Sequence, residues 1–282
     1  MPLMTQSFIT PPFWFALIAA LAFAGVALAL KLLSKSGAVA TAILGGVVFG
    51  GGGGYFMVPL LVFFLTSSLL SKIGRDRKAN ANKGDFKGSV RDAAQVFANG
   101  GVAGTLVLIY ALTVRHSDYS QSRLLLIYYL AAIAAANADT WATEIGKFSL
   151  HPPRFLRDWK TVTPGTSGAI SLLGTFGAAL GAILIPLSAL PFWHLNLVEL
   201  ITPILCGFFA SLVDSVLGAT LQGVYEDPTT GEITESPELA GKEARPVRGF
   251  RLLNNDGVNF LSCLAGAFLC WLITHFAILP YQ

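Results

Sequence analysis

The chain has 282 residues, of which 54% are hydrophobic and only 12% charged. A soluble domain carries about a quarter charged residues, so this composition excludes one and indicates a polytopic membrane protein. The net charge is only +3, and Cys206, Cys263 and Cys270 lie in apolar runs without a CxxC, which excludes a disulfide framework or a thiolate metal site.

Hydropathy predicts an all-α membrane helix bundle of about eight spans, at 13–33, 38–52, 54–71, 94–114, 122–137, 167–188, 201–221 and 257–277. The whole chain reads as a single integral-membrane domain, with a polar loop at 223–254. The first apolar run lacks a basic leader and is long enough to span, so no cleavable signal peptide is expected. Gly50 to Gly54 joins the second and third spans as a tight helical hairpin. The basic segment Lys72 to Lys87 then suits anionic head groups or a nucleotide triphosphate.

Orientation follows from the basic residues. With the amino terminus outside, seventeen of the nineteen Lys and Arg fall on the inner side, leaving only Arg115 and Arg123 outside. Both termini are then outer or luminal, and the unusual polar residues gather at the inner face. The triplets Ser36-Gly37-Ala38 and Ser167-Gly168-Ala169 suggest a parallel internal repeat, spans 2–4 against spans 6–8.

The fourth span opens on Arg91 and Asp92, followed by Gln95 and Asn99. Asp92, Gln95 and Asn99 share a helical face. That stripe forms either an interhelical hydrogen-bond network or a phosphate site, with Arg91 as the fork for anionic oxygens. The fifth span is short and runs into Asn137, Asp139, Thr140 and Glu144. An ionised carboxylate near hydrocarbon is costly without a partner. Asn137 and Glu144 share a face, but Asp139 lies on another. Either the helix breaks there, or each acid serves a different partner. Oxygen donors without His or Cys suit a hard cation, Mg²⁺ before Zn²⁺; pairing with Arg91, Lys147 or Lys160 is the structural alternative.

Before the sixth span, Lys160 to Ser171 holds Pro164, Gly165, Thr166 and Ser167. A helix start there, capped by Thr166 or Ser167, offers backbone N–H groups to a phosphate; it is equally readable as a capped turn. The seventh span carries Ser211, Asp214, Ser215 and Gln222. The eighth opens on Asn254, Asn255 and Asp256, with Asn259 and Ser262 at helical spacing. Asn255 or Asp256 would cap it. No chemistry is assigned to the four histidines.

Five stretches together carry a resemblance: Gly88-Ser-Val-Arg-Asp-Ala-Ala-Gln-Val-Phe-Ala-Asn-Gly-Gly, Asn137-Ala-Asp-Thr-Trp-Ala-Thr-Glu-Ile-Gly, Pro164-Gly-Thr-Ser-Gly-Ala-Ile-Ser-Leu-Leu-Gly, Ala210-Ser-Leu-Val-Asp-Ser-Val-Leu-Gly-Ala-Thr-Leu-Gln and Asn254-Asn-Asp-Gly-Val-Asn. They resemble the transmembrane protein 19 family of integral membrane proteins, which includes the phytyl-phosphate kinase of tocopherol biosynthesis. Asn137 stands where that family leads one to expect Ser or Leu. The resemblance implies a phosphotransferase with a phosphate acceptor: phytyl phosphate and a nucleoside triphosphate would give phytyl diphosphate. CTP is implied by analogy with related membrane lipid kinases. On this reading Asp139, Glu144, Asp214 and Asp256 hold Mg²⁺. Arg91, Lys147 and Lys160 bind phosphates, as do Gly165, Thr166 and Ser167. Asp92, Gln95, Asn99, Asn137, Ser171, Ser211, Ser215, Gln222, Asn255 and Asn259 complete the substrate surface. The expected partners are an isoprenoid phosphate, a nucleotide and the membrane, with no nucleic acid. A cytidylyltransferase making a CDP-lipid and a membrane transporter are the alternatives.

Overall fold

The computed structural model describes residues 10–73, 90–114, 119–231, 233–239 and 242–278. Most of the basic segment expected at head groups therefore lies outside the described residues. Among these, six helices are long and apolar enough to cross a membrane, and Phe13–Ala29 is a shorter apolar one. Many large apolar side chains, such as Phe13, Ile18, Ile43 and Phe209, stay exposed on the helix exteriors. In a bilayer they face lipid.

The first helix, α1, spans Phe13–Ala29. It ends four residues before its predicted limit, where Lys31 turns into the left-handed region at φ 55°. Helix Lys35–Lys72 is broken at Gly53, whose φ of 67° and ψ of −162° leave the helical region. We call its arms α2 (35–52) and α3 (54–72). They fold back on each other: Ala38 and Ala42 of α2 pack with Phe64 of α3. Only glycine takes that backbone conformation without strain, so the glycine run places the reversal.

Both ends of this hairpin meet residue 91. The Ser34 N–H donates to the Arg91 carbonyl at 3.0 Å, and the Arg91 N–H donates to Leu32 O at 3.1 Å. An Arg91 guanidinium nitrogen lies 3.5 Å from Ser68 Oγ of α3. Helix α4, Ala93–Ile109, follows at once and ends in a wider turn over Tyr110–Val114.

Helix α5, Tyr119–Gly146, is the axis of the bundle. Residues Leu126 to Ala136 are almost wholly buried, because α3, α4 and the three later helices surround them. The alanine run from Ala134 to Ala136 lets neighbours approach closely. Helix α6, Leu172–Ala189, meets α5 along a glycine seam. A Cβ at Gly174, Gly177 or Gly181 would fall 2.8–2.9 Å from the carbonyl oxygens of Ala142, Trp141 and Asn137. Helix α7 is Leu197–Thr220 and α8 is Asn255–Ile273. Near the starts of α5 and α7, Arg123 and Glu199 form an ion pair.

The fifth helix is thus much longer than predicted. It continues unbroken through the polar motif, because those polar groups face neighbouring helices or a chamber inside the protein rather than lipid. The predicted sixth span begins too early: residues 169–170 form strand β2, paired antiparallel with β1 (Arg154–Phe155), and Ser171 caps the helix. The two Ser-Gly-Ala triplets are not equivalent in structure. Residues 36–38 lie in the first turn of α2, whereas 167–169 precede α6, with Gly168 at φ 79°. They give no support to an internal repeat.

The segment between α7 and α8 forms a small antiparallel sheet of β3 (Val224–Glu226), β4 (Ile233–Thr234) and β7 (Arg245–Arg248), in the order β4-β3-β7. Two further short strands, β5 (Glu238–Leu239) and β6 (Lys242–Glu243), pair with each other. Arg248 anchors this layer. It donates to Gly218 O at 3.1 Å and stacks on Phe155 at 4.8 Å.

Candidate functional site

One end of the bundle encloses a polar chamber of about 290 Å³. The first turns of α4, α6 and α8 open onto it, and so do the last two turns of α5 and the stretch of α7 from Ser211 to Ser215. Each opening helix is capped. Asp92 and Gln95 make a reciprocal capping box on α4, with Asp92 Oδ1 accepting from Gln95 N at 2.9 Å. Ser171 Oγ accepts from Gly174 N at 3.0 Å, and Asn254 Oδ1 from Gly257 N at 2.9 Å. Three helix N-termini therefore aim partial positive charge at one space, a setting suited to phosphate.

The acids enter from the other two helices. Asp139 on α5 and Asp214 on α7 both line the chamber, close enough to interact electrostatically. Asp214 is 9% exposed, and its Oδ2 has no hydrogen-bond partner among the described residues. Glu144 lies two helical turns along from Asn137 and serves a different partner, with Lys147 Nζ 3.4 Å from its Oε1. It also faces Arg91 electrostatically. The unbroken helix thus resolves the choice left by spacing: the two acids of α5 have separate partners.

Arg91 sits at the edge of the chamber, with its guanidinium 5.5 and 5.4 Å from the ring centres of Phe63 and Phe64. Burial lowers its pKa to about 10, partly opposed by Glu144, so it remains a cation at neutral pH. Gln95, Asn99, Lys147, Gly165, Thr166, Ser167, Ser171, Ser211, Ser215, Asn255 and Asn259 also line the chamber.

Other expectations need correction. Asp92 does not line the chamber; its side chain is spent on the α4 cap. Asn137 is fully buried between helices, donating to Gly181 O at 2.8 Å and facing Ser67 Oγ at 3.3 Å. Lys160 is exposed and pairs with Asp158 at 3.0 Å. Gln222 is buried beneath the loop, accepting from Ser167 Oγ at 2.7 Å, so it positions Ser167. Asp256 lines a different hollow, between α4 and α8; Asn254, one residue earlier than expected for the cap, rotates it there. Neither Thr166 nor Ser167 caps α6, and the Thr166 N–H is already given to Thr163 O at 3.2 Å.

Among the described residues no group of three or more His, Cys, Asp or Glu is placed to hold a metal. The four-acid set is therefore reduced to the Asp139–Asp214 pair. That pair still fits Mg²⁺, which commonly takes one or two carboxylates and fills its shell with water and substrate phosphates. The spare Oδ2 of Asp214 is a ready ligand atom.

Sequence reasoning missed Thr143, Thr175 and Glu235, which also line the chamber. Thr143 stands one turn beyond Asp139 and Thr175 one turn beyond Ser171, so helical spacing would have found both. Glu235 comes from the loop after β4 and interacts electrostatically with Asp214; no local pattern marks it.

No solved structure matches the chain. Among curated proteins, Protein PGR of Arabidopsis thaliana is 31% identical over 223 residues, covering 73% of this chain and 76% of that protein. An uncharacterized membrane protein of Methanocaldococcus jannaschii is 32% identical, covering 68% of this chain and 76% of its own length. Protein VTE6, chloroplastic, of Arabidopsis thaliana is 23% identical, covering 86% of this chain and 66% of its own length. The family model described as integral membrane protein DUF92 matches residues 18–267. Its extent, with the apolar helices, makes this a multi-pass integral membrane protein, and the chain belongs to the DUF92 integral membrane family.

Proposed function

We propose that the chain is a membrane lipid kinase. It transfers a phosphoryl group from a nucleoside triphosphate, CTP by analogy, to an isoprenoid monophosphate such as phytyl phosphate. The observation that carries this reading is the Asp139–Asp214 pair facing three helix N-termini in one chamber. Acids for a cation and dipoles for anions are the two demands of phosphoryl transfer. The motif resemblance and the similarity to Protein VTE6 support the same reading.

Asp139 and Asp214 would hold Mg²⁺, which would supply charge neutralisation at the phosphates. Arg91 grips the acceptor phosphate through its planar fork. Lys147, fixed by Glu144, faces the nucleotide phosphates. Ser171, Asn255 and Asn259 orient phosphate oxygens from the chamber wall, while Ser211 and Ser215, whose hydroxyls donate to Phe208 O and Ser211 O, shape that wall. No general base is needed, because the attacking phosphate oxygen is already anionic. Rate then comes from alignment and charge neutralisation. The chamber faces the inner side in this proposal, with each arm of the α2–α3 hairpin crossing the bilayer, both termini outside, and soluble nucleotide entering from within.

The test is purified protein in detergent with Mg²⁺, phytyl or geranylgeranyl phosphate, and each of four labelled nucleoside triphosphates. Prenyl diphosphate with release of a nucleoside diphosphate is the expected result. Release of pyrophosphate would mark a CDP-lipid-forming cytidylyltransferase instead. Absence of product with every pair would overturn the kinase reading.

A further inference from the structure

Two apolar hollows lie beside the chamber, one on each side of Leu44. The first is a slot of about 50 Å³ among α1, α2, α3 and α4, walled by Phe23, Leu60, Phe63 and Phe64. Arg91, Gln95 and Asn99 line both this slot and the polar chamber. The second is an open groove of about 530 Å³ on the outer faces of α2, α4 and α8, walled by Ile43, Phe97, Leu108 and Phe260. Leu44 lines both hollows. Its side chain rests on two glycines of α4: a Cβ at Gly100 or Gly104 would come within 2.4 or 2.5 Å of a Leu44 methyl.

We propose that the slot takes the isoprenoid chain of the phosphate substrate, and that the chain enters sideways from the bilayer through the groove by displacing Leu44. The identity of the lipid rests on the kinase reading; the route rests on the cavities. A polar chamber and an apolar slot that share one cation and two amides fit a molecule with an anionic head and a hydrocarbon tail. A soluble phosphate ester would leave the slot unused. The slot as it stands is far smaller than the roughly 150 Å³ cavity that admits benzene, so a wall has to move. Leu44 is the wall with open space behind it. Its methyl groups fill the hollow that Gly100 and Gly104 leave by lacking a Cβ, so a change of Leu44 rotamer vacates that hollow while the backbone stays.

The probe is phytyl phosphate bearing a diazirine midway along its chain, photolysed with full-length protein in detergent and mapped by mass spectrometry. No nucleotide is added, so binding is read whether or not the protein turns over. Label is expected on residues 41–64 and 96–104. Excess phytyl phosphate should compete, whereas phytol and inorganic phosphate should not. Leu44→Trp should cut labelling at least tenfold, and Leu44→Ala should leave it equal or raise it. Label confined to α6 or α7, or label that phytol removes equally well, would overturn the proposal. So would full labelling of Leu44→Trp. Kinase activity with no label here would sink the route alone; label here with no activity would sink the kinase reading alone.

Discussion

Asp139 and Asp214 meet across the chamber from two different helices, α5 and α7. Two carboxylates at that range need a shared proton or a cation between them. Substituting either by Asn keeps the shape but removes a charge. Asp139→Asn and Asp214→Asn should each lower turnover by at least about a hundredfold and raise the Mg²⁺ concentration needed for half-activity. Gel filtration in detergent should be unchanged. Wild-type activity in Asp139→Asn would end the metal assignment.

Arg91 tests the phosphate grip. Arg91→Lys keeps a charge and loses the fork. Hydrogen bonds to charged groups are worth about 1.5–3 kcal/mol, so kcat/KM for the lipid should fall roughly tenfold to a hundredfold. The pH dependence has a definite sign. The arginine cation is lost only as pH rises through about 10, so Arg91 causes no decline between pH 7 and 9. A lysine starts near about 10.4 and burial pushes it down. The variant's alkaline limb should therefore move to lower pH. A rate profile from pH 7 to 10 decides it.

Lys160 and Lys147 should part company. Lys160 is exposed beside Asp158, whereas Lys147 lines the chamber beside Glu144. Lys160→Ala should leave kcat and KM within twofold of wild type, by the small worth of exposed ion pairs. Lys147→Ala should raise KM for the nucleotide at least about tenfold. Equal effects in a steady-state assay would refute the placement.

The glycine seam makes a stability prediction. Gly177→Val puts a branched side chain where a Cβ alone would fall 2.8 Å from the Trp141 carbonyl. Overpacking of this kind costs about 1–3 kcal/mol. The thermal midpoint in detergent should drop, and activity should drop with it because α5 carries Asp139. An unchanged midpoint would mean that α5 and α6 are not so closely packed.

Much of this was legible in the sequence, for physical reasons that also mark where legibility stopped. Hydropathy located the helices because lipid imposes it on every exposed face. Helical spacing separated Asp139 from Glu144, and the unbroken α5 gives them different partners. What it missed was whether polar residues end a helix or line a space inside the bundle. Asn137 to Gly146 looked like the end of a span, yet they continue it, since α6 and α7 cover them. Caps were placed a few residues off: Ser171 rather than Thr166 or Ser167, Asn254 rather than Asn255 or Asp256. On a helix one residue turns a side chain by about 100°, enough to carry Asp256 from the chamber to the outer groove. Glu235 was invisible because only the folded loop brings it to Asp214.

The two hydrogen bonds between the backbone of residue 91 and residues 32 and 34 bear on how the protein is made. A chain inserted from its amino end delivers α1, α2 and α3 before residue 91 has been synthesised. Until then the Gly53 reversal has no clasp at its base. When α4 arrives, one residue fastens the first three helices and delivers the guanidinium at the edge of the chamber. Closing the base of the amino-terminal half and placing the guanidinium at the chamber thus fall to the same residue. Because the bonds to residues 32 and 34 are backbone, exchanging the Arg91 side chain leaves them in place and gives up only the contacts with Phe63, Phe64 and Ser68 of α3.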